Sequence, residues 1–292
     1  MAEVFHSFLK SVGGNEAGHC HYTTRLDTYG CGCQHNCAYC YARSLLDFRG
    51  LWNAAAPAVA LIAEIRKEIR KMKAGDIVRL GGMTDCLQPL EREKRVTLQT
   101  IEALNAQRVE YLLVTKSALV AEDAYIGALD KELAHIQVSI TSTYADISRK
   151  IEPAASLPAE RIAAVERLQE EGLDVSVRLS PYIPEFLDMD TINAIRCDKI
   201  LVEFLRVSTW IRKWLRNLDA GVDLRPYRCH KAGYSHLPLY IKRERLRAIT
   251  GFKEISVCED FEEHWTYWQA AVNANFNDCC NLRRPALQKV TD

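Results

Sequence analysis

Three thiols share one short loop. Cys33, Cys37 and Cys40 form a C-x3-C-x2-C triplet, with Tyr39 and Tyr41 flanking the last of them. The spacing is too tight for three independent core residues and lets the thiolates grip a single metal centre. A closed zinc site takes four ligands, usually as two paired knuckles. The fourth here would have to be Cys31, Cys20 or His35, and Cys31 lies only two residues from Cys33, an awkward spacing for a tetrahedral partner. An iron–sulfur cube needs no fourth protein ligand. Three thiolates hold three irons, and the open iron makes the cluster a catalyst instead of a wire. A second metal-prone run, His19-Cys20-His21, reads as loop.

The elements that must position this loop alternate in type. Residues 24–29 alternate like a short strand and deliver the chain into the cysteines. Helical spacing of Val59, Ile62, Ile65, Ile69 and Met72 predicts a helix over 57–73, with Pro57 suited to its start. Strands are expected at 77–80, 109–115, 136–141, 173–179 and 199–204, with helices at 91–107, 121–133, 158–171 and 189–195 between them. Single helices between strands mean βαβ units around a parallel sheet. Six such strands suit an open or partial barrel, with its chemistry at the C-terminal strand ends. The fold class is α/β, one main domain over residues 1–204 with an extension over 205–292.

That extension breaks the rhythm. Between Arg206 and Arg247 stand eleven Arg or Lys residues against Asp219, Asp223 and Glu244, interleaved with Trp210, Trp214, Tyr227, Tyr234 and Tyr240. The mixture suits phosphate contacts and base stacking; a solvated helical face with buried aromatics is the plainer reading. A last strand is expected at 254–258 and a last helix at 261–273.

Composition excludes several classes. The 292 residues are 48% hydrophobic and 26% charged, with 38 basic and 38 acidic residues. A polyanionic partner therefore needs a local basic patch, since net charge gives no steering. No run approaches 18 apolar residues, so no membrane span is expected. Met1-Ala-Glu-Val-Phe-His lacks the features of a leader, and eleven cysteines then point to reduced thiols and a cytoplasmic protein.

The motifs GCQHNCAYCYAR, GGMTDCLQPLE, LLVTKS, VSIT and KIEPAASLPAERIAAVERLQEEGLDVSVRLSPYIP occur in this order. They resemble those of the spore photoproduct lyase-like branch of the radical SAM superfamily, over roughly residues 24–186. The resemblance implies a partial (β/α)6 TIM-type barrel with a [4Fe–4S] cluster on Cys33, Cys37 and Cys40, and S-adenosylmethionine cleaved to a 5′-deoxyadenosyl radical. It implies Tyr39 beside adenine, Lys116 on the methionine carboxylate, Ser139 at the cofactor, and Thr84 with the Gly81-Gly82 backbone near the methionine amine. Arg178 would reach the ribose or carboxylate. An external one-electron reductant, such as flavodoxin or ferredoxin, is implied as a partner.

One departure matters. In the lyase, a cysteine just before the turn that follows the second strand returns hydrogen to the product radical. Here that stretch reads Gly81-Gly82-Met83-Thr84-Asp85, without one. Cys86 follows at once, and Cys279 and Cys280 stand in the tail, with Cys258 and His264 upstream. Cys86, Cys279 and Cys280 are the candidate hydrogen donors, with plain packing as the alternative, and Cys258, His264, Cys279 and Cys280 are also candidate ligands of a second metal. The tail Asn277-Asp-Cys-Cys-Asn-Leu-Arg283 resembles that of phage-encoded members associated with hypermodified thymine in DNA. The expected function is hydrogen abstraction from a thymine-type base of DNA, an amino-acid-bearing one included, ending in isomerisation. Thymine-dimer repair and a non-catalytic metal-binding nucleic-acid protein are the alternatives.

Overall fold

The structure is a computed structural model that describes Phe8–Leu9, Tyr22, residues 24–275 and residues 278–282; His19-Cys20-His21 lies outside them. Strand β1 (Phe8–Leu9) pairs antiparallel with β2 (Thr24–Leu26). Then β3 (Tyr29–Gly30) leads into the cysteine loop, α1 (Tyr41–Leu46) leaves it, and β4 (Ala58–Val59) folds back antiparallel onto β3. There follow α2 (Ile62–Ile69), β5 (Ile77–Leu80), α3 (Glu91–Lys94), α4 (Val96–Ala106) and β6 (Glu110–Thr115). Next come α5 (Asp123–Ile126), β7 (Ala134–Ser139), α6 (Ala145–Ile151), α7 (Pro158–Glu170) and β8 (Asp174–Tyr182). After α8 (Met189–Asn193) and β9 (Lys199–Phe204) stand α9 (Thr209–Asn217) and a hairpin of β10 (Cys229–Lys231) and β11 (Tyr234–His236). The chain continues through α10 (Leu239–Leu246), β12 (Glu254–Cys258) and α11 (Glu262–Ala271).

The main sheet runs in the order β1-β2-β5-β6-β7-β8-β9-β12. Every pairing from β2 onward is parallel. All six expected strands form, and the strand read at 254–258 joins as a seventh beside β9. The fold is a partial α/β barrel, left open because β2 and β12 do not pair among the described residues. No helix among them is long and apolar enough to cross a membrane.

Where the elements differ from expectation, a tertiary contact explains it. Val59 pairs with Tyr29, so Pro57 opens a strand and the helix starts only after Leu61. The helix expected at 91–107 breaks at Arg95 (φ 51°). There the buried Glu91 carboxylate accepts the Tyr29 and Tyr125 hydroxyls and the Thr97 and Leu98 amides, capping α4. The segment 121–133 gives the core only Ala121, Tyr125, Leu129 and Leu133, and is helical over Asp123–Ile126 alone. Strand β8 runs past 179 through the cis Ser180-Pro181 bond to Tyr182.

Strand side chains alternate between two environments, as the pleat requires. Val78, Leu80, Leu113, Ile136, Val138, Val177 and Val202 pack under the helices in one core. Residues of the other parity face the concave side, which is largely polar. At its N-terminal end His135 Nδ1 lies 2.6 Å from Asp174 and Nε2 3.3 Å from Glu110. Burial opposes protonation of His135, but the two carboxylates outweigh it and raise its pKa above the ordinary value. A raised folded pKa stabilises the fold fully below the unfolded value, about 6.5, and that contribution is lost as pH rises through the folded value. Urea denaturation of the protein and of His135→Gln should therefore show a stability gap at about pH 6 that narrows by about pH 9. An equal gap at both would show that the ring does not titrate with folding.

Candidate active site

The loop gathers its thiols in a dry place. Cys33 and Cys37 are buried and Cys40 half-buried. Cys31 and Asn36 take left-handed backbone (φ 53° and 49°) to turn the chain this sharply. Gly32 is required by a close approach: a Cβ there would stand 1.9 Å from the Asn53 carbonyl oxygen. Burial pushes the Cys33 thiol up to about 12, with Asp85 and Cys40 adding to the rise. Burial also raises Cys37 well above the ordinary value, with Cys33 and Cys40 contributing, and raises Cys40. Thiols that oppose one another's ionisation fit a cationic metal centre, which deprotonates its thiol ligands outright.

Two clamps hold the loop from behind. Gln34 donates its amide to Gln88 Oε1 (2.7 Å) and accepts the Leu90 amide (2.6 Å). Asp85 is the hub between them and the sheet. It faces His35 Nδ1 at 3.3 Å and accepts the Thr115 hydroxyl (2.8 Å), the Lys116 amide (2.7 Å) and the Leu87 amide (2.9 Å). Burial alone would raise the Asp85 carboxyl, but His35 and these amides hold it down to about 2. The second clamp grips Tyr39, whose hydroxyl donates to the buried Glu152 and lies 3.1 Å from Thr141 Oγ1. Glu152 pairs with buried Arg161, which also donates to the Ser139 carbonyl at 2.8 Å. Asp85, Gln88, Glu152 and Arg161 sit inside motifs quoted above, yet only the folded contacts reveal what they hold.

The expected cofactor residues divide. Lys116 Nζ lies 5.7 Å from the centre of the Tyr39 ring and 3.3 Å from the Ser180 carbonyl, at the strand-end rim. Ser139 is 1% exposed, and its hydroxyl has no hydrogen-bond partner among the described residues. An orphaned buried hydroxyl costs about 1–3 kcal/mol, so this one marks a place where a polar ligand fits. The Thr84 side chain is not brought to this group, since its hydroxyl donates to the Tyr29 carbonyl at 2.6 Å. Gly81 takes φ +79°, and the Gly82 carbonyl accepts the Tyr41 hydroxyl. Arg178 is tied across the lumen to Gln137 Oε1 (2.6 Å) and Glu203. Cys86 has no exposed surface and packs in the core under the helices.

The profile of the Radical SAM superfamily matches residues 28–197. This chain belongs to the radical SAM superfamily. Its cofactors are a [4Fe–4S] cluster and S-adenosylmethionine. A spore photoproduct lyase complexed with dinucleoside spore photoproduct shares the fold at a TM-score of 0.58 and 14% identity, over 86% of this chain and 76% of that one. A variant of that lyase with bound AdoMet and the dinucleoside gives 0.57 at 16%, over 81% and 76%. Uncharacterised proteins of Methanocaldococcus jannaschii and Mycobacterium tuberculosis are each 28% identical, matching 55% and 54% of this chain and 61% and 49% of theirs. One from Acidianus two-tailed virus is 29% identical, over 52% of this chain and 54% of its own. The chain thus spans less than two thirds of the length of these relatives.

In this radical SAM chain the C-terminal thiols enter the lumen. Cys279 is hydrogen-bonded to both Cys258 and Cys280, and these contacts, with burial, push its thiol well up. The hydrogen bond from Cys279, together with the Arg178 and Arg79 guanidiniums, holds Cys280 below the ordinary thiol value. Cys280 also contacts Gln137, below Ser139 on the same strand. Tyr22, Leu112 and Leu282 form a small apolar cluster beside it.

The basic segment also divides. Five of its eleven cations are structural: Arg206 bridges Glu203 and Asp260, Arg225 pairs with Asp223, Arg245 with Glu185, and Lys242 with Glu259, while Lys231 donates to the Asp260 carbonyl. Tyr227 is buried in the core. Arg212, Lys213, Arg216, Arg228, Arg243 and Arg247 have no acidic partner among the described residues, and Trp210 and Tyr240 are exposed. Ser139→Ala removes no internal side-chain bond, so stability should hold within about 0.5 kcal/mol. Its affinity for S-adenosylmethionine should fall by about tenfold, measured by equilibrium binding; unchanged affinity would make Ser139 a packing residue only.

Proposed function

We propose that this enzyme abstracts hydrogen from a thymine-type base of DNA, one bearing an amino acid on its methyl carbon, and isomerises it. The observation that carries this reading is the hairpin at the strand-end rim. Val207 bridges to Ser235, and Lys231 reaches the Asp260 carbonyl, which fastens β10–β11 beside the ends of β9 and β12. On and next to it stand exposed Arg228 and His230, with Arg243, Arg247 and Tyr240 on and just after α10. Cations without acidic partners suit phosphates, and an exposed tyrosine suits a stacked base. A duplex substrate would have to flip its base into the lumen. Residues 205–292 then serve as the substrate-binding cap. The complex of the structurally similar lyase with a dinucleoside spore photoproduct supports a nucleotide-type ligand.

Cys33, Cys37 and Cys40 would hold the cluster, and Lys116, Ser139, Tyr39 and the Gly81-Gly82 backbone the S-adenosylmethionine. Together the bound groups supply a 5′-deoxyadenosyl radical. This chain's residues orient the base, keep water out and return a hydrogen atom. The product radical gains that atom from a thiol S–H, and the thiyl radical left behind returns to a thiol with one electron from the external reductant and one solvent proton. The donor must carry its hydrogen, which favours Cys279, the thiol kept protonated, over Cys280 and over core-packed Cys86.

Anaerobically reconstituted protein should be brown and cleave S-adenosylmethionine with dithionite, and Cys37→Ala should lose both properties while keeping its far-ultraviolet circular dichroism. A colourless zinc protein would end the catalytic reading. With deuterated thymine-containing or aminoacyl-thymine DNA, label should pass into 5′-deoxyadenosine; none passing would exclude the base as substrate. Ultraviolet-damaged DNA restored to thymines would favour repair instead.

In D2O the wild type should place one solvent deuterium in the product. Cys279→Ser should lose it and Cys280→Ser retain it; the reverse pattern would move the donor role to Cys280.

A further inference from the structure

One flank of the cysteine loop reaches the surface without crossing the barrel. Cys40, the half-buried thiol, accepts the Arg43 amide at 3.4 Å. Arg43 donates from Nη1 to Asn36 Oδ1 at 3.1 Å, and its guanidinium carbon lies 4.4 Å from the centre of the Trp214 ring. The Trp214 and Trp210 rings are 6.2 Å apart, and Trp210 is 41% exposed. Lys213 Nζ lies 5.7 Å from the Trp210 ring centre. Helix α9 is held by buried Ile211 and Leu215, and it presents Arg212, Lys213 and Arg216 with no acidic residue of its own. The neighbouring acids are Asp47, 3.7 Å from Arg43 Nε, and Asp219, whose carbonyl accepts Lys150.

We propose that this face of α9 docks the protein that delivers the electron: an acidic one-electron carrier of the flavodoxin or ferredoxin type. The inference rests on the cluster assignment above. Two tryptophans ringed by cations match the make-up of protein-interface hot spots, which favour Trp and Arg. The excess of positive charge steers an acidic partner and rejects a basic one. The contacts run from exposed indole to the Arg43 guanidinium, and the backbone amide of that arginine donates to the Cys40 sulfur. Docking makes and breaks no covalent bond. The reduced carrier loses one electron and the protein's iron–sulfur centre gains it, so carrier and protein balance one for one. Arg228, Arg243 and Arg247 stand on other elements and remain for nucleic acid.

The test compares the wild-type holoenzyme with a Lys213→Glu, Arg216→Glu double variant, both changes lying at exposed positions. Binding of an oxidised acidic flavodoxin, followed by titration calorimetry, should weaken roughly tenfold or more in the variant. In the wild type it should weaken as salt rises from about 0.05 to about 0.3 M. Flavodoxin-driven cleavage of S-adenosylmethionine should fall in step, while dithionite-driven cleavage stays at the wild-type rate. Equal flavodoxin binding by both proteins overturns the proposal. So does a loss of duplex-DNA binding with flavodoxin binding unchanged, which assigns the face to nucleic acid. Failure of dithionite-driven cleavage in the wild type would instead strike the cluster assignment, and the calorimetry would still decide the docking face.

Discussion

One buried carboxylate keeps the two halves of the site in register. Asp85 holds His35 of the cysteine loop with one oxygen and Thr115 at the end of β6 with the other, and it also binds the amides of Lys116 and Leu87. A carboxylate stripped of water is stable only when its lone pairs are met by fixed donors. The loop, the turn after β5 and the strand end must therefore arrive together or not at all. Lys116 follows directly from that anchor, so the position of the thiols and that of the lysine are set by a single group.

The same logic repeats on the opposite flank. Glu152 and Arg161 form a fully buried pair whose free capacity goes to Tyr39, Ser148, Ser156 and the Ser139 carbonyl. Such a pair is weak evidence for stability, because its desolvation cost is large. Its value here is positional. It fixes the ring beside Lys116 and the strand end that carries the orphaned Ser139 hydroxyl, and preorganisation of that kind lowers the reorganisation a reaction must undergo.

The C-terminal third extends the open barrel. Strand β12 extends the parallel sheet, and Leu282 and Cys280 come back to the lumen against Arg178, Arg79 and Gln137. The tail thiol Cys280 thus sits against the concave face of the barrel strands. The basic segment, meanwhile, is spent partly on the fold: Arg206 and Lys242 neutralise carboxylates at the rim, leaving the outer cations of α9 and of α10 and its hairpin on different elements.

Periodicity and local spacing determined much on their own. The cysteine triplet, the α/β alternation and strands such as Lys199–Phe204 and Glu254–Cys258 are legible because each depends on neighbours within a few residues. The breaks were not legible. Arg95 interrupts a helix because Glu91 caps its second half, and Pro57 opens a strand because Val59 pairs with Tyr29, both contacts across the chain. Thr84, Cys86 and Arg178 carry residue types suited to a site, but side-chain direction is decided by packing. One turns to the Tyr29 carbonyl, one into the core and one across to Gln137 and Glu203. The sequence by itself pointed to metal chemistry, because three thiols on eight residues have few other uses. Only the tertiary structure decided which polar groups stay free for a ligand, because hydrogen-bond partners can lie more than a hundred residues apart along the chain, as Tyr39 and Thr141 do.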